Sequence, residues 1–172
     1  MCRALHQPTE RGFMLKSVGK CVVVDDVRAV RRQVSSWMSS IGFHCLDAAD
    51  GNEAWSLIQD HDVDLLVTDI DMPRTSGFDL LQLVRGSQSE ACQYLPTLVI
   101  SSLSDRQIES IVREHQADTF VLKPLEKRRF LDAAFHTLRR SPSWKSFMSY
   151  IEGSPAVSPK LRELHRRAKA IS

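Results

Sequence analysis

The chain has little glycine and little proline, seven of each in 172 residues. Collagen-like and proline-rich classes are thereby excluded. It has only four cysteines, Cys2, Cys21, Cys45 and Cys92, and no C-x-x-C pair. Disulfide scaffolds need dense, paired cysteines in a short secreted chain, so this pattern reads as free thiols in a reducing compartment. Cys21 and Cys45 sit inside apolar runs, where cysteine acts as a small hydrophobe. The histidines (His6, His44, His61, His115, His136 and His165) are scattered, and none has metal-ligand spacing with a cysteine or another histidine. No stretch approaches the ~18–20 uninterrupted apolar residues of a membrane helix. Residues 1–13 lack the apolar run of a secretory signal, so a cytoplasmic location is expected. Wholesale disorder is excluded as well, because 42% hydrophobic and 26% charged residues are ordinary for a globular core.

The net charge of +2 is unevenly spread. Residues 1–17 carry three basic and one acidic side chain, and residues 142–172 carry six and two. The centre, 18–141, has fourteen basic against eighteen acidic. A mildly acidic domain thus has basic ends. Such a tail fits an anionic partner, but a solvated end is the simpler reading.

Short apolar runs alternate with helical periodicity through the centre. Residues 20–24 form a continuous run, as in a strand buried on both faces. Val27, Val30, Val34, Trp37, Met38 and Ile41 follow at spacings of three and four, predicting a helix that Gly42 stops. Residues 43–46 read as a second strand, 51–60 as a helix with Ala54, Leu57 and Ile58 inward, and 64–68 as a third strand. Residues 78–85 read as helix and 95–100 as a fourth strand entered through Pro96. Ser104 and Gln107 have capping-box spacing, opening a helix with Ile108, Ile111 and Val112 inward. Residues 119–122 read as a fifth strand, and 126–140 as a last helix with Phe130, Ala134, Phe135 and Leu138 inward. This alternation predicts an α/β fold, a doubly wound five-stranded parallel sheet covered on both faces.

Three segments are expected. Residues 1–17 form a flexible extension without periodicity, with Met14 as an alternative start. Residues 18–141 form the domain, and 142–172 a basic tail or linker. In that tail Trp144, Phe147, Met148 and Ile151 make one apolar stripe. Ser158 and Pro159 then open a short amphipathic helix with a basic outer face.

In an open parallel sheet, chemistry gathers at the carboxyl ends of the strands. There the sequence places Asp25 and Asp26 after strand one, and Asp69 and Asp71 after strand three. Ser101 follows strand four, and Lys123 with Pro124 follows strand five. Singly, each reads as a cap or a solvated turn. Together they form a chemical set. Converging carboxylates repel one another, and a hard divalent cation such as Mg²⁺ resolves that repulsion. A carboxylate is ionised at neutral pH and needs no base to attack phosphorus. Lys123 and the Ser101 hydroxyl are suited to hold oxygens of a transferred phosphoryl group.

The residues Val22-Val-Val-Asp25-Asp26, Asp69-Ile-Asp71-Met72-Pro73 with Gly77, Ile100-Ser101-Ser102 and Lys123-Pro124 resemble the receiver domain of two-component response regulators. The resemblance covers about residues 18–140, in order. It implies a flavodoxin-like sheet of order 2-1-3-4-5 and a bacterial, phosphorylation-activated signalling switch. Asp69 would be the phospho-acceptor, charged by a sensor histidine kinase or phosphotransfer protein. Asp26 and Asp69 would bind Mg²⁺ by side chains, Asp25 through water and Asp71 through its backbone carbonyl. Ser101 and Phe120 would be the switch pair, Lys123 would pair with the phosphate, and its bond to Pro124 would be cis. A homodimer through the last helix–strand–helix face is also implied. The protein would not be a turnover enzyme beyond Mg²⁺-dependent self-phosphorylation and slow autodephosphorylation. Three departures stand out: Gln116 precedes Ala117 where the family has glycine, Asp71 adds an acid beside the acceptor, and Phe120 lacks a hydroxyl.

Three alternatives are weighed. A haloacid-dehalogenase-type phosphatase fits the pair Asp69 and Asp71, but its metal-binding acids come late in the chain and Asp25-Asp26 come early. A receiver-like protein-interaction adaptor that is never phosphorylated stays open, although the complete acidic set argues against it. An N-terminal receiver fragment of a longer regulator with an output domain stays open. The ~30-residue tail is too short for a helix-turn-helix module, so direct DNA binding is not expected within this chain.

Overall fold

The computed structural model describes residues 17–103, 110, 114–141 and 144–153, with the single positions 159, 162, 163 and 166. The expected capping box at Ser104 and Gln107, the stripe Ile108, Ile111 and Val112, and residues 1–16 lie outside the described residues.

Strands β1 (Gly19–Val24), β2 (Phe43–Ala48), β3 (Leu65–Asp69), β4 (Thr97–Ser101) and β5 (Thr119–Leu122) form one parallel sheet in the order β2-β1-β3-β4-β5. The helices are α1 (Arg28–Ser39), α2 (Gly51–Asp60), α3 (Gly77–Arg85), α4 (Glu90–Gln93), α5 (Lys127–Leu138) and α6 (Trp144–Gly153).

The continuous apolar runs are explained by the period of two along a strand. Cys21, Val23, Leu65, Val67, Leu98, Ile100 and Val121 face one layer, together with Val34 and Met38 of α1 and Phe130 and Phe135 of α5. Val22, Val24 and Leu66 face the other, against Ala54 and Ile58 of α2 and Leu80 and Val84 of α3. A strand between two helical layers needs apolar residues at every position, and β1, β3 and β4 supply them.

Several boundaries differ from the sequence reading for physical reasons. Val27 does not join the α1 stripe; it stands at the N-cap and is 48% exposed. β2 runs on through Asp47 to Ala48, because an edge strand keeps polar residues toward water while pairing with β1. β3 begins at Leu65, since Asp64 accepts the Lys20 amide at 2.8 Å and brackets the strand entry. β4 begins at Thr97, one residue after Pro96, which has no amide to give. The four-residue α4 is too short to leave a periodic signal. α3 opens one residue early on a capping box between Ser76 and Asp79.

The tail stripe belongs to the core. Phe147 and Ile151 of α6 are buried in the layer shared with α1 and α5. The Phe147 ring stacks at 5.5 Å from both Phe43 and Phe135. Gly42 makes this docking possible. Its φ of +95° suits the stop after α1, and a Cβ there would meet the Tyr150 ring at 2.6 Å.

Candidate functional site

Parallel pairing brings four strand ends to one edge of the sheet. Val24 of β1 pairs with Thr68 of β3, and Asp69 pairs with Ile100 of β4. Ser101 pairs with Leu122 of β5. Residues just beyond these ends therefore converge: Asp25, Asp26, Asp69, Ser101 and Lys123.

Oxygens of Asp25, Asp26 and Asp69 all lie within 4.8 Å of one another. Asp25 is 1% exposed and Asp69 is 3% exposed, whereas Asp26 faces solvent. The Lys123 ammonium donates to Asp25 Oδ2 at 2.9 Å and to Asp69 Oδ2 at 2.6 Å. One cation thus faces three carboxylates, leaving two negative charges. Asp25 Oδ1 accepts the Val27 amide at 2.8 Å, so the same carboxylate also holds the turn that leads into α1. Asp69 Oδ1 accepts the Ile70 amide at 2.7 Å and, more weakly, the Asp71 amide at 3.4 Å.

The electrostatics follow from burial. Loss of water pushes the Asp69 carboxyl up from its ordinary value, the Lys123 hydrogen bond and charge pull it down, and the Asp25 charge adds to the rise. Burial works against the Lys123 charge, but its two carboxylate partners outweigh it and hold the ammonium's pKa above the ordinary value. The donor set is all oxygen, crowded and short of positive charge, which fits a hard divalent ion.

The remaining expected residues fall around this centre. Ser101 is fully buried, and its Oγ accepts the Leu103 amide at 3.0 Å. The Lys123 amide donates to the Ser101 carbonyl at 2.8 Å, tying these two strand ends together. The bond between Lys123 and Pro124 is cis, as expected. Asp71 is exposed beside Asp69. Phe120 is half-buried and packs against Ile70, Leu81 and Val99. Gln116 does take a left-handed backbone, with φ of 55°. The Arg85 guanidinium bonds its carbonyl at 3.0 Å.

Sequence reasoning missed three contributors, Thr68, Arg31 and Arg74, and gave Gly77 no role beyond its place in the motif. Thr68, buried beneath the site, donates its hydroxyl to the Asp69 carbonyl at 2.9 Å. Arg31, on α1, donates to the Asp25 carbonyl. Gly77 lies so close to Asp69 that a Cβ would stand 2.1 Å from the Asp69 carbonyl oxygen. Arg74, left-handed at φ 69°, ties the loop after β3 to Asp50 at the N-cap of α2, at 2.6 Å. Only Gly77 carried a signal, its fixed distance from Asp69 in the motif.

The helix N-termini differ in charge. α2, α3 and α4 open with Glu53, Asp79 and Glu90, as the helix dipole favours. α1 and α5 have no acid in the first turn and open instead with Arg28 and with Lys127, Arg128 and Arg129. α1 and α5 lie on the same side of the sheet, joined by the Trp37 and Phe130 rings at 5.5 Å. Both helices thus open with exposed basic residues, α5 directly after an acidic N-cap, Glu126.

The sequence and the fold are similar to those of known proteins. Response regulator RR06 of Streptococcus pneumoniae is 33% identical over 103 residues, 60% of this chain and 45% of that protein. The chemotaxis protein CheY of Pseudomonas aeruginosa is 33% identical over 108 residues, 61% of this chain and 84% of that protein. The solved chemotaxis protein CheY4 of Vibrio cholerae superposes with a TM-score of 0.63 at 25% identity, covering 67% of this chain and 95% of its own. The chain spans about half the length, or less, of other curated relatives, including 32% of the response regulator-like protein APRR9 of Arabidopsis thaliana. The response regulator receiver domain family matches residues 21–135, and the chain belongs to that family.

Proposed function

We propose that the chain is a phosphorylation-activated switch of a two-component system, with Asp69 as phospho-acceptor. The observation that carries this reading is the Lys123 ammonium held between the buried carboxylates of Asp25 and Asp69. An Asp69 oxygen attacks phosphorus, the bond to the donor's histidine nitrogen breaks, and Lys123 turns from its carboxylate partners to the new phosphoryl oxygens. Mg²⁺ would be held by Asp26 and Asp69 side chains, by Asp25 through water and by the Asp71 carbonyl, and would supply the missing positive charge. The partner is a histidine kinase or phosphotransfer protein in the cytoplasm, and the exposed basic residues that open α1 and α5 suit an acidic face on it. The chain turns over no substrate of its own beyond this transfer and slow self-dephosphorylation.

Residues 18–141 are the switching unit in this reading, with α6 docked on its core and residues 1–17 and 154–172 as accessories. Ser101 transmits the change. Rotating toward the phosphoryl group, its hydroxyl leaves the Leu103 amide and opens space into which Phe120 packs, reshaping the β4–β5–α5 face used for partners or a homodimer. A shift from 1:99 to 99:1 needs ~5.5 kcal/mol of differential affinity. One charge-assisted hydrogen bond gives ~1.5–3 kcal/mol, so Ser101 and Lys123 act together. A second reading, a receiver inside a longer regulator, is favoured by the greater length of the relatives.

The test is amide hydrogen exchange over residues 101–123, with and without beryllofluoride. The parent should respond across this stretch. Ser101→Ala should still bind beryllofluoride but respond only in part. Identical responses in both proteins would remove Ser101 from the coupling, and no response in the parent would refute the switch.

A further inference from the structure

Cys21 of β1 and Cys45 of β2 are register partners in the parallel ladder. Side chains at such positions leave the sheet on the same face, with the strands ~4.8 Å apart. Both enter the layer beneath α1, Cys21 within the core and Cys45 packed against it. This spacing lies in the ~4.4–6.8 Å range of Cα separations that a disulfide spans. The Cβ atoms must close to ~3.5–4.5 Å, so from a spacing of ~4.8 Å they have to approach by ~0.3–1.3 Å. Among the described residues β2 is the edge strand and pairs with β1 alone, so it has room to give.

The two thiols differ in access. Cys21 is fully buried, and Cys45 is half-buried. Cys45 Sγ lies 3.5 Å from the Ser35 carbonyl of α1 and accepts the Ser39 hydroxyl at 3.8 Å. The neighbouring Cys21 thiol and the Ser39 hydroxyl hold the Cys45 thiol below its ordinary pKa against the opposing push of burial, while the Cys21 S–H itself is aimed at the Val22 carbonyl, 3.7 Å away. Burial pushes the Cys21 thiol well up, so it stays protonated. Neither cysteine belongs to the acidic site.

We propose that Cys21 and Cys45 form a peroxide-sensitive dithiol that closes to an intrachain disulfide between β1 and β2. The Cys45 thiolate attacks one oxygen of hydrogen peroxide, the O–O bond breaks, and hydroxide leaves. The resulting Cys45 sulfenic acid is attacked by the Cys21 sulfur. The S–S bond forms, the S–O bond breaks, and the Cys21 proton departs with the hydroxyl as water. Two electrons pass from the sulfurs to peroxide, and two waters form in all. The bond would fasten the edge strand to β1, whose carboxyl end leads directly to Asp25 and Asp26. Cys92 lies on the opposite face and takes no part.

The test uses the full chain carrying Cys2→Ser and Cys92→Ser, so that only the pair remains. Hydrogen peroxide should remove two hydrogens from the intact mass and yield one reductant-sensitive peptide joining Cys21 to Cys45. Far-UV circular dichroism should not change. A parallel chain with Cys45→Ser should keep the Cys21 thiol unmodified under the same exposure. Oxidation of Cys45 to sulfinic acid with Cys21 still free would overturn the proposal. So would disulfide-linked dimers in place of the intrachain bond, or equal loss of the Cys21 thiol without Cys45.

Discussion

Substituting Gly77 by alanine probes how tightly the start of α3 is fitted to the acceptor. The added Cβ would lie 2.1 Å from the Asp69 carbonyl oxygen and 3.0 Å from both the Asp69 carbonyl carbon and the Ile70 Cα. Real Cβ contacts stay beyond 3.0 Å, so the β3 end and α3 must separate by 0.9 Å at this point. The obstructing atoms are backbone, so no rotamer change relieves the clash. Such overpacking costs ~1–3 kcal/mol, which for a chain of this size lowers Tm by ~2–12 °C. The displaced residue is Asp69 itself, and a misplacement of ~1 Å in a reacting group can cost ~10²-fold in rate. Phosphoramidate labelling with Mg²⁺, followed by intact mass over time, reads the rate, and a melt reads stability. Gly77→Ala should melt lower and label on the order of 10²-fold more slowly. Parental rate together with parental Tm would refute the argument from close approach.

Three further outcomes are expected. Asp69 has its pKa raised by burial, and an acid raised on folding costs stability above both its values, a cost that fades as pH falls through the raised one. In EDTA at neutral pH, Asp69→Asn should therefore melt above the parent, with the gap closing on acidification; a lower melt at neutral pH contradicts this. Mg²⁺ at a hundredfold excess over Kd should stabilise the chain by ~2.7 kcal/mol, roughly 5–11 °C in Tm, and Asp26→Ala should lose most of that shift. Phe147→Ala should cost ~3–5 kcal/mol in chemical unfolding, because its ring fills the space between Phe43 and Phe135; a loss below ~0.5 kcal/mol, the range of surface substitutions, would show that α6 is not part of the folded core.

Much of this fold was legible because strands between two helical layers cannot hide their character. Val22, Val23 and Val24 are apolar on both faces and announce β1 directly. The edge strand was harder, since Asp47 faces solvent and masks the continuation of β2. Asp25, Asp26, Asp69 and Lys123 were readable because each follows an apolar run, and parallel pairing must bring such residues together. Arg31 and Thr68 were not, because their roles depend on backbone carbonyls they reach only in the folded chain. The stripe at Trp144, Phe147 and Ile151 was visible, but not its target, because an apolar stripe does not name the surface that covers it.

The central claim is that phosphoryl transfer ends on Asp69. The direct measurement is mass spectrometry of the full chain after acetyl phosphate or phosphoramidate with Mg²⁺, with the modified peptide sequenced. The account predicts one phosphoryl group per chain, carried by Asp69, and none on Asp69→Asn or in the absence of Mg²⁺. Undiminished labelling of Asp69→Asn, or a phosphoryl group found on another residue of the parent, would contradict it.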